Sequence, residues 1–218
     1  MSHEIELKRL LVGDRAAERL LAALGAKEPH EKRQVNHVFD TDDGRLNATL
    51  HALRLRHEND SDWILTAKGT LTSVGASTST KLEAETRIPP DLADSILTSD
   101  ADALAELRSR VTDAAFDALW RDFEHVLAGR RLGVVGSFEN IRKVVPVTLP
   151  SGLNLELEID RTRFPHGRID DEVEIELQSS EVAAEVEAWL EEVTRAAGVV
   201  TAPSSPKFAR FFQALTAT

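Results

Sequence analysis

The sequence predicts an α+β protein in which helices cover one face of an antiparallel sheet and charged residues line the other. Several segments alternate between charged and apolar residues, which is the period of two expected for strands. The polar positions of these segments are nearly all charged, with both signs present, whereas strands that face water usually mix in Thr, Ser and Gln. Amphipathic helical segments accompany them. A sheet with helices outside and charge on its concave face encloses a polar tunnel.

The first part of the chain predicts five strands and one helix. Asp14 is the expected cap of a helix that runs to about Leu24 and stops at Gly25. Residues 70–80 are almost all Thr, Ser, Gly, Ala or Val and predict a mobile loop. The predicted strands lie at 3–9, 34–40, 51–57, 63–68 and around 82–85, where Pro89-Pro90 ends the last of them.

The second part begins with a long helical region, from Asp91 to about Arg131, in which apolar residues recur at helical spacing. Ser205 and Pro206 predict a final helix, with Ser as the cap and Pro at the first helical position. The sequence shows no internal repeat and no low-complexity linker. We therefore expect one domain over 1–218, with 91–131 as a helical insertion. The remaining predicted elements are strands near 138–149, 153–164 and 170–178 and a helix over 181–197.

Composition excludes several classes of protein. The 218 residues include no cysteine, which excludes a disulfide scaffold, a thiolate nucleophile and a cysteine zinc site. The formal net charge of -11 repels nucleic acids and anionic lipids, and the lysines form no basic patch. Neither a nucleic acid nor a membrane is therefore expected as a partner. No signal peptide or apolar span is visible, so we expect a cytoplasmic monomer or homodimer.

The charged positions suggest chemistry as well as structure. Residues two apart on a strand lie about 6.8 Å from each other on one face. Two glutamates at that spacing, as in Glu4/Glu6 and Glu174/Glu176, can ligate one hard divalent cation. Arg54 and Arg56 form a cationic pair that can bind phosphate oxygens. Carboxylates for metal together with cations for phosphate indicate phosphoryl-transfer chemistry.

Charged and aromatic motifs of this kind recur in a fixed order along the chain. They are Glu4-Ile5-Glu6-Leu7-Lys8, Phe39-Asp40-Thr41, Leu53-Arg54-Leu55-Arg56, Lys68, Glu83-Ala84-Glu85, Phe138-Glu139-Asn140-Ile141-Arg142, Leu157-Glu158-Ile159-Asp160, Glu174-Ile175-Glu176 and Lys207. Any one of them is a weak signal, but the ordered set over residues 4–207 is specific. This order resembles that of the CYTH, or triphosphate tunnel metalloenzyme, superfamily.

The resemblance implies an eight-stranded antiparallel barrel that binds a linear triphosphate with Mg²⁺ or Mn²⁺, as two ions. It implies metal ligands at Glu4, Glu6, Glu158, Asp160, Glu174 and Glu176, with Asp160 the weaker candidate. It implies phosphate binding by Lys8, Arg54, Arg56, Lys68, Arg142 and Lys207. Lys68, Glu83 and Glu85 become catalytic candidates, the two glutamates by orienting the attacking water or the second metal.

Within the superfamily, the helical region and the Phe-x-Asn-x-Arg stretch look most like the plant and related bacterial branch. We therefore expect hydrolysis of inorganic tripolyphosphate to pyrophosphate and phosphate by a metal-activated water. Ala52 stands where thiamine triphosphatases have a stacking Trp, and no tyrosine is present to pair with Lys68. A thiamine triphosphatase, a class IV adenylate cyclase and a non-catalytic polyphosphate- or nucleotide-binding module remain alternatives.

Overall fold

The structure is a computed structural model that describes residues 5–26, 28–72, 79–98, 102–177 and 179–217. This part of the chain forms nine strands and seven α-helices. The strands are β1 (Ile5–Val12), β2 (His30–Asp40), β3 (Ala52–Glu58), β4 (Asp62–Thr72), β5 (Ser79–Ile88), β6 (Gly133–Thr148), β7 (Asn154–Arg163), β8 (Ile169–Leu177) and β9 (Val200–Pro203). The helices are α1 (Ala16–Ala23), α2 (Arg45–Ala48), α3 (Pro90–Thr98), α4 (Ala103–Arg110), α5 (Asp117–Leu127), α6 (Ala183–Ala196) and α7 (Lys207–Thr216).

The chain divides into two compact units. The first unit consists of Met1–Arg33 and Glu139–Thr218, and the second unit is Gln34–Phe138. The expectation of a single domain over 1–218 stays a prediction. No helix in the described ranges is long and apolar enough to cross a bilayer.

In the first unit the strand order is β6-β7-β8-β1-β9, and the pairings between β6, β7, β8, β1 and β9 are antiparallel. Side chains alternate between the two faces of a strand, so the register decides which residues share a face. One face is apolar and packs against α1 and α6 in a single hydrophobic core. Its buried members include Leu157, Ile159, Val173 and Ile175 from the strands and Leu20, Val186 and Leu190 from the helices.

In the second unit the order is β5-β4-β3-β2, again antiparallel. Its apolar face packs against α3, α4 and α5, so the predicted helical insertion supplies the cover for this face. The buried residues of this core include Leu53, Leu55, Leu65 and Ala84 from the strands and Leu92, Leu107 and Phe123 from the helices.

Two predicted helix starts are wrong by one residue each. Asp14 does not cap α1, because the capping position is Arg15, which has a left-handed backbone (φ 52°) and makes no side-chain capping hydrogen bond. At the other end of the chain, Pro206 is the capping residue of α7 rather than its first helical residue, because its ψ of 141° is extended. The predicted helical region 91–131 is confirmed but divides into α3, α4 and α5.

The strand predictions hold in position and differ in extent. β2 begins at His30 rather than at residue 34, and β4 and β5 extend into the loop predicted for 70–80. Residues 73–78 of that loop lie outside the described part of the chain. The resemblance implied eight strands, whereas Val200–Pro203 adds a ninth by pairing with β1. Closure of the strands into a barrel stays a prediction.

His37 gives the second unit a pH-dependent stability. Trp63 stacks on His57 with ring centroids 4.1 Å apart, and the His37 ring lies 6.1 Å from Trp63. Burial, and then the nearby His57, lowers the pKa of His37 below its usual 6.5. The unfolded chain therefore binds a proton more readily than the folded chain below pH 6.5.

We expect His37 to contribute a fall in the free energy of unfolding between pH 7.5 and pH 5.5. The difference in free energy of unfolding between His37→Gln and the wild type should therefore shift in favour of the variant as the pH falls. Urea denaturation at the two pH values measures it. His30→Gln, at the exposed start of β2, is the control and is expected to leave the pH dependence as it is. An unchanged slope in His37→Gln would contradict the assignment.

Candidate functional site: two charged sheet faces

The second face of the first unit is rich in charged residues. The register places Lys8 opposite Glu174, Glu174 opposite Glu158, and Asp160 opposite both Arg142 and Glu172. Because the strands are antiparallel and each alternates, these side chains fall on one face. The sequence pattern alone shows which residues of a strand share a face. The register then aligns the charged residues of β1, β8, β7 and β6 in one row across the sheet.

Arg142 on β6 is the centre of this row. Its Nε donates to Asp160 Oδ1 at 2.8 Å and its Nη2 to Asp160 Oδ2 at 2.7 Å, a two-pronged contact that suits the planar guanidinium. The same Nη2 donates to Glu174 Oε2 at 2.6 Å, and Nη1 forms an ion pair with Glu158. One arginine therefore contacts carboxylates on both β7 and β8.

Lys207, the first residue of α7, supplies a second cation. Its Nζ lies 2.8 Å from Asp160 Oδ2, 2.8 Å from Glu172 Oε2 and 2.5 Å from Glu174 Oε1. A residue near the end of the sequence thus meets the centre of the sheet. We call this group the charged cluster: Arg142, Glu158, Asp160, Glu172, Glu174 and Lys207.

Burial and mutual contact shift the pKa values in the charged cluster in different directions. Burial by itself would raise the pKa of Asp160, but Lys207 and Arg142 hold it well below its usual range. Burial raises the pKa of Glu174 to about 7, with a further contribution from the charges of Asp160, Glu172 and Glu6 that Lys207 opposes. At neutral pH the cluster therefore contains one carboxyl group near its point of protonation.

Carboxylates also lie directly opposite one another on neighbouring strands of this face. Glu6 lies directly opposite Glu176, and Lys8 Nζ is 2.5 Å from Glu6 Oε2. Glu158 opposite Glu174 is a second pair of this kind, and Asp160 opposite Glu172 is a third. Like charges placed directly across a sheet repel one another. Arg142 offsets the repulsion in the second pair and Lys207 in the third, and a bound cation would relieve the repulsion that remains between Glu6 and Glu176.

The donor chemistry of this face fits a hard divalent ion, because Mg²⁺ and Mn²⁺ prefer carboxylate oxygens. Within the described ranges, however, no group of three or more His, Asp or Glu side chains is placed to hold a metal. Glu4 lies outside the described residues. The metal-ligand roles of Glu4, Glu6, Glu158, Asp160, Glu174 and Glu176 therefore stay predictions.

The second unit has a charged face of its own, on β3, β4 and β5. Arg56 Nη2 donates to Glu85 Oε2 at 2.9 Å, and Thr66 Oγ1 donates to the same oxygen at 2.9 Å. Arg54 Nη2 donates to Thr66 Oγ1 at 3.1 Å. Lys68 forms an ion pair of 2.8 Å with Glu83 and is half exposed. Strand alternation thus brings all five predicted residues of this unit to one face: Arg54, Arg56, Lys68, Glu83 and Glu85.

Arg56 also has an unused donor. Its Nε is buried, and no group in the described part of the chain accepts a hydrogen bond from it. A buried polar atom without a partner is uncommon in folded proteins. Asn36 lies opposite Arg56 on β2, and its buried Oδ1 also has no hydrogen-bond partner in the described part of the chain. An anion would satisfy the arginine donor.

Sequence reasoning missed Glu172 and Arg210. Glu172 shares the parity of Glu174 and Glu176, so the strand pattern contained a signal for it. Arg210 follows Lys207 by three residues, and residues three apart lie on neighbouring parts of a helix surface. Its burial depends on contacts with β8, which the local sequence does not show. In the structure Arg210 donates to Glu172 and Asp170 on β8 and to the carbonyl of Ser205 before α7.

Comparison with known proteins identifies the family and the fold of the chain. The sequence profile of the CYTH domain matches residues 2–212. The chain is similar to HpAC1 of Hippeastrum, described as a candidate adenylyl cyclase with a dominant triphosphatase activity. The two are 25% identical with a TM-score of 0.72, over 97% of this chain and 96% of that chain.

Two prokaryotic structures share the fold. One is a candidate adenylate cyclase of Bacillus halodurans, 23% identical, TM-score 0.64, covering 96% of this chain and 97% of that chain. The other is the PH1819 protein of Pyrococcus horikoshii OT3, 19% identical, TM-score 0.53, covering 97% and 99%. No curated protein sequence matches the chain. With a profile match over nearly its whole length, the chain belongs to the CYTH domain family.

Proposed function

We propose that this protein hydrolyses inorganic tripolyphosphate to pyrophosphate and phosphate with the help of Mg²⁺ or Mn²⁺. Enzymes of the CYTH family typically act on triphosphates and use divalent ions. HpAC1, which this chain resembles at 25% identity, is described as having a dominant triphosphatase activity. Family membership therefore supports the class of substrate, and the charged faces support the particular substrate.

The observation on which the proposal depends is the charged cluster. Arg142 and Lys207 are cations largely removed from water, and each is held by several carboxylates, so their positions are set before a ligand arrives. Preorganised cations of this kind suit the equatorial oxygens of a phosphoryl group, which would replace some of the carboxylates as acceptors of their hydrogen bonds. In the first unit, β1, β7, β8 and residues 139–148 of β6 contain no aromatic residue on which a base or thiamine ring could stack. An inorganic substrate needs no such ring.

The proposed phosphate-binding residues are Lys8, Arg142 and Lys207 in the first unit and Arg54, Arg56 and Lys68 in the second. A bound divalent ion neutralises phosphate charge and makes a coordinated water more acidic. The residues proposed to hold it are Glu4, Glu6, Glu158, Asp160, Glu174 and Glu176. Asp160 is the weaker candidate, and both of its oxygens already accept hydrogen bonds from Arg142. Both oxygens of Glu174 are engaged as well, by Arg142 and Lys207.

In the reaction, the oxygen of water forms a bond to a terminal phosphorus and the bridging P–O bond breaks, which leaves pyrophosphate and phosphate. Arg142 and Lys207 bind the phosphate oxygens on which negative charge increases. Glu83 and Glu85 are proposed to orient the water, since carboxylates accept its protons in hydrogen bonds. Lys68, paired with Glu83, is proposed to bind a terminal oxygen.

The proposal is tested by measuring phosphate release from tripolyphosphate, ATP and thiamine triphosphate, each with Mg²⁺ or Mn²⁺ and with a chelator. We expect metal-dependent turnover that is fastest on tripolyphosphate. Glu176→Gln is expected to lower it by about 100-fold or more, since even the residues that orient metal ligands contribute that much. Glu185→Gln, at an exposed position of α6 on the other side of the sheet, is the matched control and is expected to keep activity.

Other results would replace the proposal with a named alternative. Formation of cyclic AMP and pyrophosphate from ATP would identify a cyclase. Faster turnover of thiamine triphosphate would identify a thiamine triphosphatase. Tripolyphosphate binding without turnover of any substrate would identify a binding module.

A further inference from the structure

Arg210 on α7 is among the largest fully buried side chains of the described chain, with 1% of its surface exposed. A buried guanidinium is costly unless it is paired. All three of its nitrogens have partners: Nη2 donates to Glu172 Oε2 at 2.6 Å, Nη1 to Asp170 Oδ2 at 3.0 Å and Nε to the carbonyl of Ser205 at 3.1 Å. Arg210 therefore uses three of its five N–H donors within the protein, and its burial keeps the other two away from a substrate.

The planar face of the Arg210 guanidinium also packs against a side chain. Its guanidinium carbon lies 5.5 Å from the centre of the Phe164 ring, at the distance of a cation–π contact. Phe164 belongs to the turn between β7 and β8, and Arg168 of the same turn lies 5.7 Å from that ring. Arg210 thus joins three parts of the first unit: the start of α7, strand β8 and the β7–β8 turn.

Arg210 contacts the charged cluster through one oxygen atom of Glu172. Glu172 Oε2 accepts from Arg210 at 2.6 Å and also lies 2.8 Å from Lys207 Nζ. The Glu172 side chain is completely buried, and Ser204 donates to its other oxygen. Lys207 and Arg210 lie three residues apart, so both reach the same carboxylate from one side of α7.

We propose that Arg210 is a positioning residue for Lys207. By holding Glu172 and the Ser205 carbonyl, it fixes the first turn of α7 so that Lys207 Nζ stays between Asp160 and Glu174. The effect of Arg210 on turnover rests on the proposed function, whereas its effect on the position of Lys207 does not.

Arg210→Met is a suitable variant because it keeps an apolar side chain of similar length and removes the three hydrogen bonds. The rest of α7 keeps its own anchors, Phe211 and Ala214, which are buried. Arg168→Met is the matched control, since Arg168 contacts the same Phe164 ring and the same Asp170, at 3.0 Å, but is far more exposed. Arg210→Lys, which retains the charge, is the second variant should Arg210→Met fold poorly.

The first experiment does not need enzyme activity. The rate at which an acetylating reagent modifies Lys207 at pH 7.5 is measured by mass spectrometry in the absence of substrate. We expect Arg210→Met to raise this rate at least about 10-fold, because a loosened Lys207 is exposed more often. Arg210→Lys should give an intermediate rate and Arg168→Met the wild-type rate. Equal rates in wild type and Arg210→Met would overturn the proposal.

The second experiment is a double-mutant cycle on tripolyphosphate hydrolysis. Arg210→Met should lower kcat/KM by about 10- to 100-fold, the range that a misplacement of about 1 Å can cause. In a Lys207→Ala background it should have little further effect, because its action passes through Lys207. Fully additive losses would overturn the proposal. If the wild type shows no turnover, the proposed function fails, while the labelling experiment still decides the role of Arg210.

Discussion

Replacing Arg142 by Met is expected to lower the free energy of unfolding by about 3–5 kcal/mol at pH 7.5, the usual cost of leaving a buried charge without its partner. Arg142 contacts Asp160, Glu174 and Glu158, and the first two are buried. Without the guanidinium, Lys207 alone faces this group of carboxylates. Urea denaturation followed by circular dichroism gives the change, provided that the slope with denaturant stays the same.

The loss should be smaller at pH 5, and this pH dependence separates a charge effect from a packing effect. Burial already raises the pKa of Glu158 and of Glu174 above their usual values, and removal of Arg142 raises them further. Between that raised pKa and the ordinary value of 4.5, the folded chain binds more protons than the unfolded chain. The stability of the Arg142→Met variant should therefore increase as the pH falls from 7.5 to 5.

Arg161→Met provides the matched control for this result. Arg161 lies on β7 next to Asp160 but on the opposite face, where its side chain is 50% exposed and pairs with Asp171 at 3.6 Å and Glu18 at 3.9 Å. An exposed pair of this kind contributes about 0–1 kcal/mol. If both variants lost the same stability, or if Arg142→Met were insensitive to pH, the charged cluster would not be held together by Arg142.

Arg56→Met is expected to lower kcat/KM for tripolyphosphate by about 10²- to 10³-fold, the typical effect of removing one donor to a transition-state oxygen. The buried Nε of Arg56 is the reason, since it lacks an acceptor in the described chain and is available to a phosphate oxygen. The free energy of unfolding should fall by up to about 3 kcal/mol, the upper value for a hydrogen bond to a charged group, because the Arg56 side chain is largely buried and also lies 3.8 Å from Glu58.

Steady-state kinetics at several metal concentrations, together with a thermal melt, measure both quantities. Arg87→Met is the control: Arg87 has the same parity on β5 as Glu83 and Glu85, but its side chain is 76% exposed and pairs with Asp62 at 3.5 Å. It should retain wild-type kinetics. A loss of stability beyond about 3 kcal/mol in Arg56→Met would mean that this arginine mainly stabilises the sheet and would remove the basis for the kinetic prediction.

Much of both charged faces could be predicted from the sequence because a strand alternates with a period of two. The Glu174-Ile175-Glu176 and Arg54-Leu55-Arg56 patterns assign their side chains to one face without further information. The sign and density of charge then favour the prediction of a ligand-binding face over a face that only contacts water. The pairing of β6 with β7 is the step that local pattern cannot supply, and it is this pairing that places Arg142 opposite Asp160.

The parts that were missed depend on short segments or on distant contacts. β9 has four residues and α2 has four, too few to show a period. Arg15 takes a left-handed backbone without being Gly or Asn, so the sequence offered Asp14 as the more ordinary cap. Arg210 looked like an ordinary polar residue on an amphipathic helix, because only the docking of α7 on β8 removes it from water.

The division of the chain into units also bears on the order in which they can fold. The second unit is one continuous segment, Gln34–Phe138, whereas the first unit joins Met1–Arg33 to Glu139–Thr218. Pairing β1 with β8 closes a loop of well over a hundred residues, and the entropy of closing such a loop slows folding. Because domains fold in order as they leave the ribosome, the second unit can form while β1 still waits for its partner strand. The charged cluster can form only after Lys207 has been synthesised. Until then Arg142 is the one cation of the cluster that the nascent chain has to pair with its carboxylates.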